Sequence, residues 1–213
     1  MMSSKKKVLI ITYYWPPAGG PGVQRWLKFS KYLRDYDIEP VIYTIDNPTY
    51  PILDSSSENE IPKGIEVLKQ PIFELNSILS FFGVNNKKGS AGFLNPNPTL
   101  LGKMIQYIRA NFFIPDARKF WIQPSVNFLS NYLKNHKIDA VISTGPPHSV
   151  HLIGLKLKKQ LGIKWISDFR DPWTEIDYFK QLPLTKKATK KHLQLEREVL
   201  VNSDMTIVVG ETM

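Results

Sequence analysis

The chain has 213 residues, a formal net charge of +9 and a hydrophobic share of 42%, which is enough for the core of one large domain or two small ones. It contains no cysteine, which excludes a disulfide framework and thiolate chemistry and fits a reducing compartment. No apolar window reaches a membrane-spanning length, and the run behind the basic N-terminus is too short for a signal peptide, so we expect a cytoplasmic protein.

The first predicted element is a buried strand followed by a glycine-rich turn. Val8–Ile11 is a continuous apolar run, which is typical of a parallel strand covered on both faces. A pair of prolines then ends the strand, because proline cannot extend a ladder. Gly19, Gly20 and Gly22 allow positive φ values and a close approach of the backbone to a ligand.

This turn leads into an amphipathic helix that begins at Val23. The first N–H groups of a helix lack internal partners and carry partial positive charge, so a glycine turn at this point is a candidate phosphate site. Arg25 stands where the dinucleotide fingerprint would have its third glycine, so the fingerprint is not matched. A tight connection without a ligand therefore stays open as the alternative.

The next segments continue a parallel sheet and then interrupt it. Pro40–Ile45 and Ile65–Lys69 are predicted strands, and the first of them completes a βαβ unit with the preceding strand and helix. Residues 73–136 form a predicted helical insertion. It comprises a short helix near residues 75–82, a mobile segment over 85–98 that is rich in Gly, Asn and Lys, an amphipathic helix over 101–113 and a helix over 120–136.

Regular alternation resumes after the insertion. The predicted elements are a strand over Ala140–Thr144, a helix that Gly162 ends, a strand over Lys164–Ser167, a helix over Leu184–Asn202 and a strand over Met205–Val209. The predicted fold class is α/β, a Rossmann-like, doubly wound parallel sheet with a helical insertion around residues 73–136.

Polar clusters follow three of the predicted strands, at residues 16–22, 144–149 and 168–173. Ligands of open parallel sheets bind beyond the carboxyl ends of the strands. We therefore expect the three clusters to meet at one edge of the sheet and to form a site.

His148 and its neighbour His151 are the candidate histidines of the second cluster. An imidazole at the start of a helix can donate or accept a hydrogen bond to a hydroxyl or a phosphate, although a capping or packing histidine is the plain alternative. His151 lies one turn further along and is the weaker candidate. No carboxylate accompanies either histidine at metal-ligand spacing, so we expect no metal site.

The third cluster contains Asp168, Arg170 and Asp171, with Trp173 close behind. Paired carboxylates beside a guanidinium suit acid–base work or binding of sugar hydroxyls, whereas an Arg–Asp pair that holds the turn is the structural alternative. Trp173 could stack on a sugar face or fill the core. Arg25, on the first helix, is a further candidate for substrate binding.

Two basic segments could meet an anionic surface. The first is the set of cations on the last helix, Lys186, Lys187, Lys190, Lys191 and His192. The second is the insertion, with Phe81, Phe82, Phe93, Phe112, Phe113, Lys87, Lys88, Lys103 and Arg109. Each is either a solvated face or a contact for anionic lipid or a lipid-linked acceptor. No nucleic-acid-binding module is matched.

Several segments together resemble family-4 glycosyltransferases of the two-domain GT-B architecture. The segments are Tyr14–Gly20, Ile142–Ser149, Asp168–Trp173, Leu195–Leu200 and Ser203–Val209, in the family's order along nearly the whole chain. Asp-Phe-Arg-Asp-Pro-Trp is the most specific of them. The resemblance implies that residues 1–213 are the N-terminal, acceptor-side domain, one GT-B half, and that the C-terminal domain that holds most of the nucleotide sugar lies outside this chain.

The family implies a retaining transfer of a sugar from a nucleotide-sugar donor to a hydroxyl of a glycan or lipid-linked acceptor. Gly19, Gly20 and Gly22 would approach the donor, and His148 and Asp171 would be catalytic. Asp168, Arg170, Trp173 and Arg25 would bind substrate, without a metal or another cofactor. The leaving phosphate would help to deprotonate the acceptor, so no enzyme nucleophile is needed.

Two other interpretations remain open on the sequence. One is a stand-alone nucleotide- or phosphate-binding α/β module, for which the glycine turn and the basic surface suffice. The other is a GT-B epimerase that acts on a nucleotide sugar. The residues alone indicate an anion-binding α/β domain, and the choice of a transferase depends on the family resemblance.

Overall fold

A computed structural model of the chain describes residues 5–47, 50–72, 99–211 and 213. The six strands are β1 Lys6–Thr12, β2 Ile38–Ile45, β3 Glu66–Gln70, β4 Ala140–Gly145, β5 Trp165–Phe169 and β6 Met205–Val208. The helices of the described residues are α1 Pro21–Tyr32, α2 Leu100–Phe112, α3 Lys119–Asn135, α4 Ser149–Leu161 and α5 Lys186–Asn202. Short 3-10 helices lie at Leu33–Tyr36, Ser55–Glu60 and Asp177–Gln181.

The strands form a parallel sheet in the order β3-β2-β1-β4-β5-β6. The order reverses between β1 and β4, so the switch point of the topology lies there. Right-handed crossovers place α1 on one face and α3, α4 and α5 on the other, where α4 packs against both α3 and α5. The sequence-based prediction of a doubly wound, Rossmann-like sheet is confirmed.

The central strands are buried because helices cover both of their faces. Leu9, Ile10 and Ile11 of β1 have no exposed surface. Such a continuous apolar run is what a parallel strand between two helical layers requires. The core also holds three fully buried indoles, those of Trp15, Trp121 and Trp165.

The helix α3 belongs to the core of the domain. Trp121 of α3 stacks on Tyr43 of β2, with ring centroids 5.5 Å apart and planes 9° apart. Val126 and Leu129 continue the buried face. The second half of the predicted insertion is thus the crossover helix from β3 to β4, whereas α2 lies outside the core and has no buried residue.

Several predicted boundaries differ from the observed ones. The strand predicted over Lys164–Ser167 runs on to Phe169, so Asp168 lies inside β5 and not beyond its end. The last helix begins at Lys186, because the side chain of Thr185 accepts from the N–H of Ala188 and caps it. The predicted short helix near 75–82 and the segment 85–98 lie outside the described residues, as do the aromatic and basic residues predicted there. Among the residues that the structure describes, no helix has the length and apolar character needed to cross a bilayer.

Candidate functional site

The three polar clusters meet at the carboxyl edge of the sheet, as the sequence predicts. The carbonyl of Gly145, at the end of β4, accepts from the backbone N–H of Arg170 at 3.0 Å and from its Nε at 3.1 Å. The guanidinium of Arg170 also donates to the carbonyl of Pro146 and lies against Gly22 of the first turn. One arginine therefore links the loops that follow β1, β4 and β5.

The three glycines of the first turn have different surroundings. A Cβ on Gly19 would lie 2.8 Å from Cγ2 of Ile52, whose carbonyl accepts from the Gly19 N–H at 2.9 Å. A Cβ on Gly22 would lie 2.3 Å from Nη1 of Arg170. Gly20 has a φ of 95° and open space where its Cβ would be. Close packing thus explains the first two glycines, and only Gly20 combines a glycine-specific backbone with free space.

The N-terminal end of α1 follows this turn directly and carries the partial positive charge of the helix dipole. Gly20 is the N-cap residue of α1, no side chain caps the helix, and its first turn contains no acidic residue. Pro21 has no N–H, and the N–H of Val23 donates to the Gly20 carbonyl at 3.2 Å, so the N–H of Gly22 is the first-turn donor that this helix end can offer an anion. The Nε of Arg25, on the next turn, is buried and has no hydrogen-bond partner.

Asp168 is buried and holds α1 against β5. Its Oδ2 accepts from the indole Nε1 of Trp26 at 2.7 Å, and its Oδ1 accepts from Nη2 of Arg25 at 3.1 Å. The carboxylate has no exposed surface. Both oxygens therefore have partners within the protein, and the paired arginine is Arg25 of α1 and not Arg170 of the turn.

Asp171 lies two residues beyond the end of β5 and is half-buried. Burial raises the pKa of the neighbouring Tyr178, and the negative charge of Asp171 raises it further, with smaller contributions from Tyr14 and Asp116. Burial lowers the pKa of Arg170, while the charges of Asp168 and Asp171 oppose that change. The carboxylate of Asp171, the guanidinium of Arg170 and the phenols of Tyr14 and Tyr178 thus lie close enough to influence one another's charge, and we call this group the mouth of the site.

His148 lies against Trp173 in the interior of the site. The two rings are parallel, with centroids 4.6 Å apart and planes 2° apart. Trp173 is 2% exposed, and its Nε1 donates to Nδ1 of His192 at 3.1 Å. The structure therefore places Trp173 in the core, which is the second of the two roles considered for it.

Burial holds His148 in its neutral form. Desolvation lowers its pKa from 6.5 to about 3, and the nearby charges of His192 and Arg170 add to the effect. Its Nδ1 is buried and has no hydrogen-bond partner. A neutral imidazole can orient a hydroxyl by a hydrogen bond, but at neutral pH it supplies no positive charge.

His151 points into the core instead of the mouth. Its Nδ1 lies 2.9 Å from the hydroxyl of Ser143, which also accepts from the indole of Trp165 at 2.9 Å. Its ring stacks on Phe169, with centroids 4.4 Å apart. Its Nε2 is buried beside Gly145, where a Cβ would come within 2.5 Å. His151 is thus a packing residue, and the sequence analysis had already made it the weaker of the two candidate histidines.

Asp116 is a site residue to which sequence reasoning gave no role there. Its Oδ2 accepts from the backbone N–H of Ser149 at 2.8 Å, and its Oδ1 accepts from the Ser149 hydroxyl at 2.7 Å. It therefore caps α4 from a loop 33 residues away and fixes the turn that carries His148. The sequence hints at this contact only indirectly: His148, the N-cap residue of α4, makes no capping hydrogen bond, so a cap has to come from elsewhere in the chain.

The site combines cationic groups, a carboxylate and a neutral imidazole. Its cationic groups are Arg25, Arg170 and the open end of α1, and its half-buried carboxylate is Asp171. Within the described ranges, no cluster of three or more histidine and carboxylate side chains is placed to hold a metal ion.

Comparisons with known proteins concern the fold. No family model matches the chain, and no curated protein matches it by sequence. Sucrose-phosphate synthase from Thermosynechococcus elongatus superposes with a TM-score of 0.53 at 12% identity, over 96% of this chain and 42% of that chain. The match establishes that this domain has the fold of one GT-B half.

Two other solved structures are similar at lower scores. A glycosyltransferase from Streptomyces sp. SF2575 has a TM-score of 0.47 at 16% identity, over 96% of this chain and 50% of that chain. Phytolacca americana UGT2, complexed with UDP-2fluoro-glucose and pterostilbene, has a TM-score of 0.46 at 12% identity, over 98% of this chain and 48% of that chain. The chain spans half or less of the length of each of these proteins.

Proposed function

We propose that this chain is the acceptor-side domain of a glycosyltransferase that moves a sugar from a nucleotide-sugar donor to a hydroxyl of a glycan or lipid-linked acceptor. The observation that carries the proposal is the contact of Arg170 with Gly22, after β1, and with the carbonyl of Gly145, at the end of β4, on the two sides of the switch point of a GT-B half. Ligands of open α/β sheets bind at such a point.

In this proposal, the groups around the first turn receive the anionic end of the donor. Gly20 leaves space for a phosphate or a sugar, and the positive end of α1 and the two arginines attract its charge. The nucleotide is held mainly by a second domain outside this chain. Support for that division is the 42% of the sucrose-phosphate synthase chain that this domain covers.

The acceptor hydroxyl lies on the side of His148 and Asp171. Neutral His148 offers a hydrogen bond that orients the hydroxyl or the transferred sugar, and the Asp171 carboxylate binds sugar hydroxyls at the mouth. The acceptor oxygen bonds to the anomeric carbon on the face from which the phosphate leaves, the bond between that carbon and the phosphate oxygen breaks, and the phosphate takes the acceptor proton. Configuration is then retained without an enzyme nucleophile or a metal. Trp173 and Asp168 act by holding His148 and α1 in place.

Two measurements test this proposal. Calorimetric titration of the 213-residue chain with UDP, GDP and nucleotide sugars should give weak or no binding. Tight, nucleotide-selective binding would favour a stand-alone nucleotide-binding module instead.

In the complete enzyme, Asp171→Ala should lower product formation about 10- to 100-fold if its contact is made in the transition state. Asp177→Ala, a change of an exposed carboxylate six residues away, is the matched control. Equal turnover in both variants would remove Asp171 from the site.

A further inference from the structure

The helix α2 turns its apolar face towards solvent. Leu100 is 87%, Leu101 53% and Met104 56% exposed, and Tyr107, Ile108 and Phe112 are exposed as well. At 100° per residue these six side chains cover an arc of about 140° on one side of the helix. A surface helix normally turns such a stripe to the core, so the orientation of α2 requires a separate explanation.

The helix is held firmly in this orientation. The Asn111 side chain donates to the carbonyl of Pro183 at 2.8 Å and accepts from the N–H of Thr185 at 2.7 Å and from its hydroxyl at 2.8 Å. Thr99 caps the other end of α2 by accepting from the N–H of Gly102 at 3.2 Å. The exposed stripe is therefore a fixed surface next to the start of α5.

The two stretches that carry the stripe and the start of α5 are cationic. An open groove of about 640 Å³ runs along it and is lined by Leu100, Leu101, Lys103, Met104, Tyr107 and Pro183. Three residues after Pro183, α5 begins with a group of exposed lysines, Lys186, Lys187, Lys190 and Lys191. The stretches 99–115 and 183–195 include no Asp or Glu.

We propose that the α2 stripe and the lysines of α5 form a docking surface for an anionic lipid bilayer. An amphipathic helix that lies in the plane of a membrane inserts its apolar side chains below the headgroups, while nearby lysines interact with anionic phosphates. A bilayer supplies both partners at once. A second copy of this chain would instead bring two groups of like charges together, which disfavours self-association through this surface.

The surface also lies next to the candidate site. The loop that leaves α2 reaches Asp116, which bonds to Ser149 beside His148. Docking would therefore hold the acceptor side of the domain near the headgroups, where a lipid-linked acceptor is found. This last step depends on the proposed function, whereas the docking itself does not.

Flotation of the 213-residue chain with vesicles tests the proposal. The chain should float with mixed phosphatidylglycerol–phosphatidylcholine vesicles and not with pure phosphatidylcholine vesicles. Lys187→Gln with Lys190→Gln should lower the bound-to-free ratio about fivefold per lysine. Leu101→Gln with Met104→Gln should lower it by about tenfold, because fewer apolar groups are inserted.

Matched controls separate docking from general attraction. Val201→Gln changes a residue that is 72% exposed about 22 Å further along α5, and Lys134→Gln removes an exposed lysine at the end of α3; both should bind as the unaltered chain does. Circular dichroism confirms that each variant is folded.

Three results would overturn the proposal. The first is no flotation of the unaltered chain with anionic vesicles at low salt. The second is equal loss in the Lys134 control, which indicates charge alone. The third is a concentration-dependent dimer that the α2 variants dissociate, which assigns the stripe to a protein interface. Nucleotide binding and turnover play no part in this assay, so its failure leaves the proposed function to be judged on its own tests.

Discussion

Replacing Asp168 by alanine should destabilise the domain by about 3 kcal/mol, even though the sequence places this residue among the candidates for substrate binding. The carboxylate has no exposed surface, and its two oxygens accept from Trp26 at 2.7 Å and from Arg25 at 3.1 Å. The Asp168→Ala change would leave a buried indole N–H and a guanidinium without their acceptor.

The magnitude follows from the burial of the two donors. Trp26 is 3% exposed, so its unpaired N–H costs about 1–3 kcal/mol. The side chain of Arg25 is 26% exposed, so water replaces part of the interaction that it loses. The loss in the free energy of unfolding should therefore lie at the low end of the range of about 3–5 kcal/mol for a broken buried ion pair. Asp168→Asn keeps an acceptor for the indole but turns an NH2 donor towards the Arg25 guanidinium, so it should cost less than Asp168→Ala, about 1–2 kcal/mol.

Urea unfolding followed by the fluorescence of the five tryptophans measures both values. Asp171→Ala serves as the comparison, because this half-buried residue lies at the mouth and should change the free energy of unfolding by less than about 1 kcal/mol. If Asp168→Ala costs no more than Asp171→Ala, the carboxylate does not hold α1 to β5, and its role as a substrate ligand gains support.

Three further changes test other parts of the site. Gly22→Ala should push the Arg170 guanidinium away from the Gly145 carbonyl, because the new Cβ would lie 2.3 Å from Nη1. It should lower the turnover of the proposed complete enzyme and leave the melting temperature nearly unchanged. Gly20→Ala should cost about 1–3 kcal/mol in urea unfolding, because the residue has a φ of 95° and a ψ of 175°. Burial lowers the pKa of His148 from 6.5 to about 3, so between these pH values the unfolded chain binds a proton that the folded chain excludes. The free energy of unfolding should therefore fall as the pH falls from 6.5 towards about 3. His148→Gln should reduce that slope by about 1.4 kcal/mol per pH unit, and an unchanged slope would show that His148 is protonated in the folded state.

The sheet could be predicted because its signal is local. Runs such as Val8–Ile11 and Ala140–Ile142 are apolar without interruption, because a strand between two helical layers is covered on both faces. The meeting of the three clusters also followed from the sequence, since parallel strands present their carboxyl ends at one edge. The end of β5 was misplaced because Asp168 is charged, and a charged residue inside a buried strand is uncommon unless it is paired.

The contacts that complete the site depend on long-range geometry. Asp116 and Ser149 are 33 residues apart, and Trp26 and Asp168 are 142 apart. No periodicity links such pairs. Similarly, the spacing in α2 predicts an amphipathic helix, but it does not tell whether the apolar side faces the core or the solvent.

The surroundings of the candidate residues narrow the set that can contact a ligand. Asp168 and Trp173 have their polar groups engaged with other side chains of the domain, and close packing explains Gly19 and Gly22. The candidates that remain are the open space at Gly20, the start of α1, the two arginines, Asp171 and His148. Such a set can bind an anion and orient a hydroxyl, but it lacks a carboxylate positioned as a nucleophile beside a second one. The transfer proposed above, in which the leaving phosphate takes the acceptor proton, needs no such pair.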